Sequence, residues 1–154
     1  MSTESTQQLA TFYVAGEMFG VDVREVQEVL VEQEATPVPL APPHVVGLAN
    51  LRGQIMPTFS LRTRFGMPQR EEGKPVANLI VKTTEGPVSF VVDEIGDVLE
   101  VPSSQWRDVP DTVDAVQRQF VKNIFLGEGR LILCLDLVRV IDDDPKGAAD
   151  GPRS

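Results

Sequence analysis

Glycines, prolines and short polar pairs interrupt the apolar residues of this chain every few positions, so it must fold largely as short strands. About nine or ten apolar runs, each of roughly five to eight residues, fall between residues 10 and 135. Strands of that kind, with only short helices between them, build a barrel or a sandwich. The 154 residues suit one domain, or two small subdomains sharing a core. A chain of that size buries roughly 70% of its unfolded surface.

Residues 10–15 and 18–21 flank Gly16-Glu17, a two-residue hairpin signal. The period then changes. Asp22 can cap a helix, Glu25 stands three residues on as in a capping box, and Val23, Val26 and Leu30 follow at helical spacing. The pattern predicts a helix of roughly two turns. Residues 36–43 hold four prolines, which cannot donate to a ladder and bias their neighbours against helix. That segment reads as extended and as a crossing from one sheet to another. The runs 45–51 and 54–59 pair around Arg52-Gly53, and Ser60 and Gly66 bracket a short helix. Residues 67–74 read as a polar, mobile connection. Further hairpins are predicted around Thr84-Glu85-Gly86 and around Gly127-Glu128-Gly129, with a strand over 94–101 between them. Residues 103–106 and 111–117 suggest turns or short helices, and Asp136 caps a last helix through Ile141. Residues 1–8 and 142–154, the second stretch acidic, read as disordered tails around a domain at 9–141.

The net charge of -9 and a pI near 4.6 disfavour nucleic acid and anionic membrane surfaces as partners. Proteins or small molecules remain. No apolar run approaches the roughly 20 residues of a membrane span, and the polar start is not a secretory signal. A single cysteine allows no internal disulfide, so a reducing cytoplasm is the simplest home.

No catalytic constellation emerges. His44 is the single histidine and reads as a surface residue at a turn. Cys134 sits inside the apolar run 131–135, where burial should raise its pKa. Asp93, Glu94 and Asp97, like Asp142 to Asp144, lack the spacing of a calcium loop and read as a solvated face. The glycines make no phosphate cradle, because Lys-Ser/Thr does not follow Gly47 and Gly53, and Gly127 and Gly129 lie between strands. Trp106 reads as a core or seam residue. Arg52 and Glu28 differ from these. A cation at a tight turn projects from a rigid sheet edge, where a partner can pair with it.

Several segments together resemble the CheW family, the chemotaxis coupling proteins. They are residues 19–23 with 26–29, the proline crossing 37–43, Gly47-Leu48-Ala49-Asn50-Leu51-Arg52-Gly53 with Pro57 and 61–66, residues 91–95 with Val98-Leu99, and 129–133 with Leu135-Asp136. The likeness runs from about residue 10 to residue 141. Ser60 stands where members often carry Asp, and residues 111–119 fit the pattern poorly. The resemblance implies a mostly β fold of two interleaved five-stranded β-barrel subdomains on a shared core, with short helices. It implies no enzyme activity and no cofactor or metal. CheW-like proteins bridge a CheA-type histidine kinase to the cytoplasmic tips of methyl-accepting chemoreceptors, in arrays at the inner membrane face. By the matching motif, Val26, Glu28, Gly47, Asn50, Arg52 and Val98 would border or support the receptor-binding groove between the barrels. The resemblance assigns no residue to the kinase.

Two rivals stand beside this reading. One keeps the family and moves the pathway to twitching or gliding motility, or to control of a diguanylate cyclase. The other is a small β-barrel module for a ligand or nucleic acid, which basic clusters with aromatics would support, whereas the net charge is -9 and aromatics are 6% of the chain.

Overall fold

The computed structural model describes residues 6–69, 71, 73–127 and 129–142. Eleven strands form two sheets among them. The strands are β1 (Thr6–Val14), β2 (Glu17–Asp22), β3 (Val26–Val31), β4 (Val45–Leu51), β5 (Gln54–Ser60), β6 (Ala77–Thr83), β7 (Gly86–Val92), β8 (Glu94–Pro102), β9 (Trp106–Arg107), β10 (Val121–Gly127) and β11 (Arg130–Leu135). The first sheet runs β8-β1-β2-β11-β10-β9 and the second β3-β6-β7-β5-β4. The chain therefore begins in one sheet, builds the whole of the other, and returns. The first sheet exceeds the expected five strands by the two-residue β9. No helix among the described residues is long and apolar enough to cross a membrane.

The shared core lies between the sheets and a smaller cluster lies on the far side of each, which is why many strands read as unbroken apolar runs. In β11, Leu133 and Leu135 enter a core shared with the second sheet, while Ile132 and Cys134 enter a smaller cluster with Phe125, Leu9 and Val101. The shared core joins Phe12 and Phe19 of the first sheet to Phe59, Leu79 and Phe90 of the second. The far side of the second sheet is smaller and more polar: Ala49, Met56 and Ile80 pack together, and buried Asn78 donates to the Ser89 hydroxyl at 2.7 Å.

Of three short helices, the first and the last seal the shared core. In α1 (Leu61–Arg64), Ser60 caps by accepting from the Thr63 amide at 3.3 Å, and Leu61 is fully buried. The α2 helix (Ala115–Arg118) is capped by Asp114 and α3 (Leu137–Ile141) by Asp136. Arg64 ties α1 to the end of α3, donating to the Val140 carbonyl at 2.9 Å and to the Asp142 carbonyl. Its guanidinium also lies 4.8 Å over the Phe120 ring.

Several expectations need correction. The two-turn helix after Asp22 is a single 3-10 turn, Val23–Glu25, followed at once by strand β3. Asp22 does cap that turn, accepting from the Arg24 amide at 2.8 Å. The proline segment does not cross between sheets. It links β3 to β4, the two outer strands of one sheet. The first hairpin turns at Ala15-Gly16, one residue earlier than read, with φ of 51° and 84°. Thr6 to Gln8 belong to β1 and pair with β8 instead of forming a tail. Residues 143–154 lie outside the described residues, as do Met1 to Ser5 and, within the polar connection, Arg70 and Glu72.

Candidate docking site at the Arg52 corner

The β4–β5 hairpin turns through Arg52 and Gly53 with φ of 53° and 87°, the signs of a type I′ turn, whose twist suits the flanking strands. Gly53 takes this conformation freely, whereas Arg52 bears about 1–2 kcal/mol for it. The Asn50 side chain tightens the corner by accepting from the Gly53 amide at 2.9 Å. The Arg52 guanidinium pairs with the carboxylate of Glu28 on β3. An exposed pair of this kind contributes only about 0.2–1 kcal/mol. The pairing leaves the Arg52 side chain 66% exposed, against 26% for Glu28. A cation thus stands outward on a rigid turn, oriented by its partner.

The ion pair spans the two outer strands of the second sheet, and a backbone bridge does the same. Thr36 and Leu48 exchange two N–H···O bonds of 2.8 Å. Gly47 makes that approach possible, since a Cβ there would lie 2.2 Å from the Thr36 carbonyl oxygen. Four of the six residues that the sequence singled out therefore converge: Glu28, Asn50 and Arg52 at the corner, and Gly47 at the bridge beside it. Val26 opens β3, is half-buried and packs against the shared core. Val98 belongs to the first sheet, in β8 opposite Ala10, and is 55% exposed.

The sequence reading missed the apolar face next to this corner. Val46 and Leu48 of β4 and Ile55 of β5 are 39%, 41% and 57% exposed. They share a face, because Ile55 is registered opposite Asn50 and Leu48 lies two residues before it. Alternation in Val46-Gly47-Leu48-Ala49-Asn50 was the available signal, since the small residues point inward and the larger ones out. A groove of about 650 Å³ borders this face, lined by Glu32, Gln33, Glu34, Thr36, Leu48, Asn50 and Ile55.

The other residues with chemical potential are structural. Burial pushes the Cys134 thiol up to about 12. His44 is buried, not a surface residue: it stacks 5.8 Å from Phe59, with Nδ1 3.4 Å from an Arg64 nitrogen. Asp93 is no solvated charge either. It pairs with Arg62 at 2.7 Å and accepts from the Ala15 amide at 2.8 Å, tying the first hairpin to α1. The hydrogen bond from Arg62 to Asp93 raises the guanidinium pKa. Arg24 holds the Asp22 carboxyl down at about 2, against the opposing effect of burial. Trp106 lies in the first sheet's own cluster, with its ring 3.7 Å from that of Phe125. Among the described residues no three His, Cys, Asp or Glu side chains are grouped to hold a metal ion.

Comparison with known proteins agrees with this architecture. A chemotaxis protein CheW of Rhizobium meliloti is 29% identical over 147 residues, covering 96% of this chain and 95% of that protein. The Bacillus subtilis chemotaxis protein CheW is 28% identical over 143 residues, 93% of this chain and 92% of its own. The crystal structure of the scaffolding protein TtCheW from Thermoanaerobacter tengcongensis superposes with a TM-score of 0.83 at 26% identity, covering 92% of this chain and 97% of that one. Protein PilI of Pseudomonas aeruginosa is also similar, 26% identical over 114 residues, 74% of this chain and 64% of its own. Residues 8–144 match the family described as the CheW-like domain, and the chain belongs to that family.

Proposed function

We propose that this chain is a non-catalytic adaptor that couples methyl-accepting chemoreceptors to a CheA-type histidine kinase. The observation that carries the proposal is the Arg52 corner, an outward cation on a turn braced by Asn50 and Glu28. An arginine at φ 53°, where glycine or asparagine would be easier, supports a contact role. The receptor tip docks at this corner, with Val26, Gly47 and Val98 bordering or supporting the groove. The apolar face of Val46, Leu48 and Ile55 supports a second contact, which we assign to the kinase, since exposed aliphatic clusters serve as protein interfaces. The coupling unit is the domain at 9–141, extended to Thr6 by β1. It works in the cytoplasm, at receptor arrays on the inner membrane face.

Crosslinking followed by affinity recovery from the protein's own cells tests this. The wild-type chain should bring down a CheA-type kinase and a chemoreceptor, and Arg52→Asp should lose the receptor and keep the kinase. Recovery of neither partner with wild type would refute the adaptor role. A second reading keeps the mechanism and changes the pathway to a non-flagellar chemosensory system. The similarity to PilI, a relative with a different name, is the observation that favours it. Recovery of a kinase linked to pili, gliding or a diguanylate cyclase would decide for that reading.

A further inference from the structure

The groove beside the kinase-facing surface carries a charge pattern that the adaptor role does not require. Its rim is Glu32, Gln33 and Glu34, its floor is Leu48 and Ile55, and its lining contains no lysine or arginine. The two glutamates are exposed. The backbone between them is tethered. The Gln33 amide donates to buried Asn78 Oδ1 at 2.9 Å, and the Gln33 side chain donates to the Val31 carbonyl at 2.9 Å. Two residues beyond Glu34, the Thr36–Leu48 bridge fixes the segment against β4. The result is an aliphatic face with an acidic shoulder carried on a tethered backbone.

We infer that Glu32 and Glu34 select the docking partner of this face: a kinase regulatory surface whose aliphatic patch is flanked by lysine or arginine. This rests on the assignment of the β4–β5 face to the kinase. An apolar face alone would accept any aliphatic patch of suitable shape. A pair of carboxylates beside it favours the complementary charge, repels an acidic competitor, and speeds encounter at low salt. In a cell with several CheA-type kinases, this shoulder decides which one the adaptor recruits.

The test is association kinetics with the purified regulatory domain of the CheA-type kinase recovered with wild type, measured across ionic strength. Three variants are compared: Glu32→Lys with Glu34→Lys, the milder Glu32→Gln with Glu34→Gln, and Leu48→Asp, each checked for its fold by circular dichroism. The lysine pair should slow association about tenfold at low salt and flatten the salt dependence, the glutamine pair should fall between, and dissociation should change little. Leu48→Asp should abolish binding. If Leu48→Asp abolishes binding while both glutamate variants leave rate and salt dependence unchanged, the charge selection is wrong and the kinase face stands. If Leu48→Asp changes nothing, the face assignment falls, and the selection with it. If the glutamate variants impair binding of a receptor tip fragment instead, the partner is misassigned and the inference is overturned.

Discussion

Replacing Arg52 by asparagine should separate what the corner does for the fold from what it does for a partner. Arg52 sits at φ 53°, and asparagine tolerates that conformation better. The replacement recovers up to about 1 kcal/mol of turn strain. It removes an ion pair whose arginine is 66% exposed, worth about 0.2–1 kcal/mol. The two nearly cancel, so the melting temperature should stay level or rise by a few degrees. Binding should respond quite differently. Losing a charge-assisted contact to a receptor carboxylate or carbonyl removes about 1.5–3 kcal/mol, a ten- to hundredfold loss of affinity. Thermal melts and titration calorimetry with a receptor tip fragment, on the same preparations, give both numbers. A drop of more than about 5 °C would show that the Glu28 pairing holds the outer strands together and that the strain argument is wrong. Unchanged affinity would show that Arg52 is not a docking residue.

Three further outcomes follow from the same geometry. Gly47→Ala should cost about 2 kcal/mol or more, since its Cβ would lie 2.2 Å from the Thr36 carbonyl oxygen. That predicts a melting temperature lower by about 4–8 °C, and faster exchange of the Leu48 amide. Cys134, with its thiol at about 12, should resist a disulfide reagent at pH 8 in the folded protein and react promptly in urea. Rapid reaction without denaturant would refute its burial. Asp22 lies at about 2 in the fold against an ordinary 3.8, so it favours the folded state above pH 4, and that contribution disappears as pH falls toward 2. Urea melts of wild type and Asp22→Asn should therefore converge over that window, and a constant gap would contradict the assignment.

Most of the strands, the Arg52-Gly53 hairpin and the capped helix at Ser60 were legible because each rests on local chemistry: glycine at a turn, serine at a helix start, apolar residues between. The failure at β3 is more instructive. A half-buried strand shows apolar residues inside and polar ones outside, but β3 inverts part of this. Val29 and Val31 are 45% and 79% exposed, whereas Glu28 is half-buried, turned to meet Arg52. With the period of two masked, Val23, Val26 and Leu30 mimicked a helix. Local rules fail where a contact distant in sequence, here the Arg52 pair, decides which side chain is covered. The proline segment was misplaced for another reason. Composition shows that it is extended, but only the Thr36–Leu48 bridge shows which edge it returns to. His44 looked like a turn residue because its ring partners, Phe59 and Arg64, lie 15 and 20 positions away in sequence.

The central claim is that one chain holds kinase and receptor together through separate faces. Reconstitution tests it most directly: purified kinase is sedimented with receptor-bearing vesicles, with and without the chain. The account predicts that kinase pellets only when the chain is present. It also predicts that Arg52→Asp leaves kinase and chain together in the supernatant, and that Leu48→Asp leaves the chain on the vesicles and the kinase in solution. Kinase that pellets equally without the chain, or both variants bridging as well as wild type, would contradict it.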